Sequence, residues 1–137
     1  MSNAMQQRVA QAAMIAAAQG FHVEISSSNK MLMDIRRGAA FASLHFAGTY
    51  LKIELLKIDI TARRRGYGKA LLTDIIAIAD ELGLQIELMA ASMQQERQPG
   101  LSQRKLKSWY HRYGFTGNDI FLSRLPMKNP LSQPYQN

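Results

Sequence analysis

Between residues 50 and 60 the apolar positions change parity. Leu51, Ile53 and Leu55 fall on odd numbers, then Leu56, Ile58 and Ile60 on even ones. The polar residues shift with them, from Lys52 and Glu54 to Lys57 and Asp59. Side chains of a strand alternate with a period of two, so a change of parity means one inserted residue. The simplest cause is a β-bulge at Leu55-Leu56. Three shorter strand-like runs precede it, at 21–25, 31–35 and 40–46. Ser26-Ser27-Ser28-Asn29, Arg37-Gly38 and Gly48-Thr49 punctuate them, which predicts an antiparallel meander. After the bulged run, Leu71, Leu72, Ile75, Ile76, Ala79 and Leu82 recur at helical spacing, and Gly83 supplies a left-handed stop. A strand at 84–90, a polar loop at 94–100, a helix capped by Ser102 and stopped by Gly114, and a strand at 120–125 follow. Ahead of everything, the alanine-rich stretch 5–19 predicts a helix ending at Gly20.

The order is helix, four strands, helix, strand, helix, strand. The strand–helix–strand unit over 50–90 requires a right-handed crossover between parallel strands, while the other pairings are antiparallel. The expected fold class is α+β, with a mixed, mostly antiparallel sheet. A length of 137 residues suits one domain, taken as 5–126. Met1-Ser2-Asn3-Ala4 before a second Met5 reads as a cloning scar, and 127–137 as a loose tail.

The absence of cysteine excludes disulfides, cysteine-ligated metals and thiol nucleophiles. His22, His45 and His111 are scattered and form no metal-binding pair, so no metal is expected. No run reaches the roughly 20 apolar residues of a membrane span, and the start does not read as a signal peptide, so the expected compartment is the cytoplasm. The net charge of +7 calls for anionic partners. It is unevenly placed: residues 1–60 hold 6 basic and 4 acidic side chains, residues 61–137 hold 11 and 6. The anion site belongs to the second half.

That half contains Arg63-x-x-Gly66-x-Gly68 between a strand and a helix. Glycines let the backbone turn tightly and approach a ligand closely. The free N–H groups of the helix start, backed by its dipole, suit a phosphate or pyrophosphate. Gly66-Tyr67-Gly68-Lys69-Ala70 lacks the spacing and hydroxyl of a Walker loop, and Leu71 stands where a dinucleotide fingerprint needs a small residue. Alone, the turn is better read as a basic helix cap.

Downstream stands Trp109-Tyr110-His111-Arg112-Tyr113-Gly114-Phe115. With both segments in this order the chain resembles the GNAT superfamily of acyl-CoA-dependent N-acyltransferases. The phosphate motif of that family, Gln/Arg-x-x-Gly-x-Gly/Ala, is matched by Arg63, Gly66 and Gly68. Its later motif, Tyr-x-x-x-Gly-Phe, is matched by Tyr110, Gly114 and Phe115. The likeness covers 50–115 well and the flanks loosely. It implies a GNAT-like sheet whose bulged fourth strand splays from the fifth, with flanking helices. It also implies acetyl-CoA as co-substrate. Ile58, Asp59 and Ile60 would pair with the pantetheine arm. Backbone amides of Arg65, Gly66, Tyr67, Gly68, Lys69 and Ala70 would hold the pyrophosphate, and Tyr110 would stand near the sulfur as general acid. The chain departs from the family in three places. Gln103 stands where asparagine is common, Ile60 where proline is common, and one short helix opens the chain where a strand and two helices are usual. Those helices form much of the acceptor pocket, so the acceptor site should be shallow or completed by a second subunit in a homodimer.

The expected reaction is transfer of an acetyl group from acetyl-CoA to a primary amine by direct attack in a ternary complex. The acceptor is a small molecule or a protein. An alkyl amine of pKa near 10.4 is neutral in only about one molecule in 2,500 at pH 7, so a proton acceptor is useful. Glu54, on the polar face beside the bulge, is the candidate; it reads equally as a solvated carboxylate paired with Lys52 or Lys57. Glu87 is the second choice. A backbone N–H freed near Leu56 would serve the oxyanion. Trp109, Tyr113 and Phe115 read as core or wall, and His111 as surface. Two other readings compete: a non-catalytic acyl-CoA binder, and a small basic nucleic-acid-binding module using Arg63–Arg65 with Arg104, Lys105 and Lys107. The last is weaker, because exposed aromatics do not alternate with the basic residues.

Overall fold

A computed structural model describes residues 2–58, 66–90, 103–117 and 120–127. The elements are α1 (Ser2–Ala18), β1 (His22–Ile25), β2 (Leu32–Arg37), β3 (Ala40–Ala47), β4 (Tyr50–Ile58), α2 (Tyr67–Leu82), β5 (Gln85–Met89), α3 (Gln103–His111) and β6 (Phe121–Arg124). They follow the order expected from the sequence. The six strands form one sheet in chain order. Only the β4–β5 pairing is parallel; β1–β2, β2–β3, β3–β4 and β5–β6 are antiparallel.

One face of the sheet is the core. Met33 and Ile35 of β2, Ala40, Ala42, Leu44 and Phe46 of β3, Leu51 and Ile53 of β4, and Ile86 and Leu88 of β5 are all buried at alternate positions. The amphipathic stripe of α2 covers them through Leu71, Leu72, Ile75, Ile78 and Ala79. This corrects the expected stripe slightly, since Ile76 and Leu82 lie at its margin and Ile78 lies within it. Gly83 takes the left-handed conformation at φ 68° and closes α2, as its position suggested. The apolar edge of α1 is made of Val9, Ala12 and Ala16, whose small side chains let the helix lie close to α2 and the sheet. Helix α1 begins at Ser2, three residues ahead of the expected start, and α3 ends at His111, two residues before the expected end at Tyr113. Residues 112–114 form a turn instead, with Gly114 at φ 93°. The tail 128–137 lies outside the described residues.

The β-bulge is present but sits earlier than the parity argument placed it. Ser43 faces Leu55 while Leu44 faces Ile53, which leaves Glu54 as the extra residue. Leu55 misled the pattern. It is 38% exposed, so the odd-numbered core set ends at Ile53. A direct consequence concerns stability. Ile53→Ala should cost about 2–4 kcal/mol, the range for truncating a buried aliphatic side chain, whereas Leu55→Ser should cost under about 1 kcal/mol. Urea unfolding of both variants tests the assignment; equal losses would return Leu55 to the core.

The three helices share one face. Tyr110 and Phe115, in and just after α3, belong to the same core as α1 and α2. On the opposite face, among the described residues, no helix packs on the sheet. The outward positions there are mostly polar: Asp34, Ser43, His45, Lys52, Gln85, Glu87 and Ser123. A polar face needs no cover to be stable in water.

Candidate functional site

The glycine turn meets the helix start as its residues require. Gly66 stands at the N-cap of α2 with φ 82° and ψ 4°, a left-handed conformation that an L side chain rarely adopts. No side chain caps this end, and no acidic residue lies in the first turn. The N–H of Ala70 donates to the carbonyl of Gly66 at 3.0 Å, the first bond of the helix. The amides ahead of it, those of Tyr67, Gly68 and Lys69, precede the intrahelical ladder and carry the positive end of the dipole. A helix start of this kind is suited to an anion.

Gly68 is different from Gly66. Its backbone is helical, and a Cβ there would meet Ile58 at 3.9 Å and Trp109 at 4.0 Å, ordinary contact distances. Packing therefore tolerates alanine at 68, in keeping with the Gly/Ala of the motif. The same contacts show what the fold gathers here: the end of β4, the start of α2 and the C-terminal half of α3.

Tyr110 follows Trp109 on α3. It is 7% exposed and lies between the rings of Trp109 and Phe115, whose centroids are 5.0 and 5.5 Å away. Burial pushes the phenol pKa up from 10.0 to about 12. An ordinary tyrosine, with a pKa near 10, is close to a thiol in acidity, and burial makes this one a weaker acid. This hydroxyl keeps its proton throughout the physiological range. Trp109 and Tyr113 are half-buried, Phe115 is fully buried and His111 is exposed, as expected for wall, core and surface.

The backbone supplies the gap. Pairing of β4 with β5 runs from Tyr50–Gln85 to Ile53–Leu88 and stops at the bulge, while β4 goes on to Ile58 beside β3. The two strands part where the extra residue turns β4. The fourth and fifth strands were expected to splay at this point.

Glu54 is the bulge residue itself. Its carboxylate is 3.7 Å from His45 Nδ1 and 3.9 Å from Lys52 Nζ, in a partly exposed setting. That geometry fits loose ion pairs on a wet surface as well as a proton acceptor. Glu87 accepts a hydrogen bond from Gln85 Nε2 at 3.3 Å. Strand register aligns His45 with Lys52, Lys52 with Glu87 and Glu87 with Ser123, a polar row across the helix-free face. His45 was missed from the sequence. Counting back from the two-residue turn Gly48-Thr49 would have set it opposite Lys52. Asp59, Ile60, Arg63 and Arg65 lie outside the described residues, as does the side chain of Gln103.

A second missed feature braces the site. Arg124, on β6 and buried, donates through Nε to the carbonyl of Tyr113 at 2.8 Å and through Nη1 to Asp80 Oδ1 at 2.8 Å. The backbone N–H of Met127 donates to the same oxygen at 2.9 Å. One guanidinium thereby ties the end of α2 to the turn that follows Tyr110. Among the described residues no group of three or more histidine and carboxylate side chains is placed to hold a metal. None of the described helices is long and apolar enough to cross a membrane.

No protein-family model matches the chain, and no curated protein sequence does. Solved structures do. The anti-CRISPR protein AcrVA5 superposes with a TM-score of 0.56 at 21% identity, over 67% of this chain and 96% of that one. Ard1 from Thermoplasma volcanium gives 0.51 at 17% identity, over 72% of each chain. The PaiA N-acetyltransferase from Thermoplasma acidophilum, solved in complex with coenzyme A, gives 0.50 at 14% identity, over 82% of this chain and 66% of that one. A mixed six-stranded sheet with a bulged fourth strand parting from the fifth, and likeness to these structures, give the same answer: the chain has the fold of the GNAT acetyltransferases.

Proposed function

We propose that the protein is an N-acetyltransferase that moves an acetyl group from acetyl-CoA to a primary amine. The observation that carries this reading is the convergence at Gly68, where an uncapped helix start, the end of the bulged strand and the aromatic helix bearing Tyr110 come together. In this reading the amides of Tyr67, Gly68 and Lys69 hold the pyrophosphate, with Lys69 and the arginines Arg63 and Arg65 adding charge. Ile58, Asp59 and Ile60 line the pantetheine arm, and Gln103 lies along it. Acetyl-CoA supplies the activated acyl carbon. The amine nitrogen attacks that carbon directly, and the C–S bond breaks. Tyr110 offers its proton to the departing sulfur. A backbone N–H turned out of the ladder at the bulge faces the charge that builds on the acyl oxygen. Glu54 or bulk water takes the proton from the amine. The reading sets the protein in the cytoplasm.

The pyrophosphate site is tested at Gly66. Asparagine tolerates the left-handed conformation better than most residues, and aspartate matches it in shape. Gly66→Asp should weaken CoA binding at least about tenfold more than Gly66→Asn, since only the carboxylate repels the phosphates. The same carboxylate should leave the fold intact, because a negative charge at a helix start is favourable by about 0.3–1 kcal/mol. Calorimetric titration with CoA, beside thermal melts, makes the comparison. Equal affinities for the two variants would remove the pyrophosphate from this turn.

A further inference from the structure

The helix-free face carries a cleft of about 310 Å³ against β4, β5 and β6. Its position follows from the register. Leu88 makes the last pair with β4, and Met89, the next residue of β5, lies at the mouth of the gap. Met89 pairs with Phe121 of β6. The two side chains are 50% and 65% exposed, two large apolar groups side by side on a mostly polar face. One step back along the strands stand Lys52, Glu87 and Ser123, which also line the cleft.

Charge adds a second observation. The chain is strongly basic. Among the described residues, the charged side chains that line the cleft are Lys52 and Glu87, and Lys52 leans toward Glu54 at 3.9 Å. With Lys52 drawn to Glu54, Glu87 is left as the anion of the cleft lining. It therefore favours a cation, and the apolar pair beside it favours a cation that carries an apolar group. The volume lies at the small end of ligand sites and suits a small molecule.

We infer that this cleft is the acceptor site and that its substrate is a small primary amine borne on an aromatic or branched aliphatic group. The inference rests on the acetyltransfer reading and narrows it. The ammonium is drawn to Glu87, and the apolar group lies on Met89 and Phe121. The nitrogen, once deprotonated, is then held where β4 and β5 part. Polyamines and hydroxyalkyl amines lack the apolar group and should be poor acceptors.

The test compares four amines with acetyl-CoA as donor: phenethylamine, isoamylamine, putrescine and ethanolamine. Release of free CoA gives kcat/KM for each. Phenethylamine and isoamylamine should exceed ethanolamine and putrescine by about tenfold or more, the scale that apolar pocket contacts supply. Phe121→Ser and Met89→Ser replace exposed side chains, so thermal melts should show both variants folded. Each should lower the ratio of phenethylamine to ethanolamine by about tenfold. Glu87→Gln should raise KM for all four amines while sparing the apolar preference. If putrescine or ethanolamine serves as well as phenethylamine, or if the serine variants keep the wild-type ratio, this assignment is overturned and acetyl transfer itself stands. If acetyl-CoA binds and none of the four amines is acetylated, the assignment falls. If in addition no other amine supports CoA release, the acetyltransfer reading falls with it.

Discussion

Tyr110→Phe should lower turnover by roughly 100-fold or more, the usual scale for loss of a general acid, with the KM for acetyl-CoA little changed. The substitution keeps the ring in its place between Trp109 and Phe115 and removes only the hydroxyl. The phenol pKa of about 12 sharpens the expectation. Such a weak acid gives up its proton only to a strong base, and a thiolate becomes one when it is itself desolvated against the aromatic wall. The deficit should therefore shrink for a thioester with a more acidic thiol, which leaves with less help. Equal deficits with both donors would make Tyr110 a residue that positions the thioester.

The same hydroxyl has a stability signature. Its pKa in the folded protein lies above the ordinary 10.0, so the folded state holds this proton more tightly than the unfolded chain does. The contribution is fully present below pH 10 and is lost as the pH rises toward 12. The size of that loss is on the order of 2–3 kcal/mol. Phenylalanine at 110 removes it, so the variant should lose less stability than wild type across this window. Parallel urea melts at intervals of pH give the comparison. Identical alkaline slopes would mean that the phenol is solvated in the folded state.

Arg124→Met should destabilise the protein by about 3 kcal/mol. This is the lower end of the range for breaking a buried ion pair, because Asp80 keeps about a quarter of its side chain in water. The loss has two sources: Asp80 is left without its cation, and the Tyr113 carbonyl loses its donor. A double variant, Arg124→Met with Asp80→Leu, should recover part of the stability, since it removes the stranded charge. Because Arg124 holds the turn after α3, the single variant should also disturb Tyr110, and turnover should fall more than CoA affinity. A double variant no more stable than the single one would show that packing, not charge, is lost at this site.

Composition and periodicity determined a good deal. The strand runs, the apolar stripe of α2 and the glycine stops at 83 and 114 are local signals, written in periods of 2 and 3.6 and in residues that tolerate positive φ. They were enough for the element order, the parallel crossover and the existence of a bulge. The glycine turn and the Tyr110 segment also named the resemblance to the GNAT superfamily. What the sequence left open depends on which neighbour each residue meets. Leu55 is as hydrophobic as Leu56, so only the pairing with Ser43 shows that it faces water and that Glu54 is the inserted residue. His45, Lys52, Glu87 and Ser123 come from four strands and form a row only once the register is set. Arg124 and Asp80 are 44 residues apart, and no local signal marks either as a partner. The apolar pair Met89–Phe121 looks like core in the sequence, because alternation says that a side chain changes face without saying which face the helices cover. That choice belongs to the tertiary structure: among the described residues, α1, α2 and α3 bury one face of the sheet and none of them covers the other, which carries the cleft.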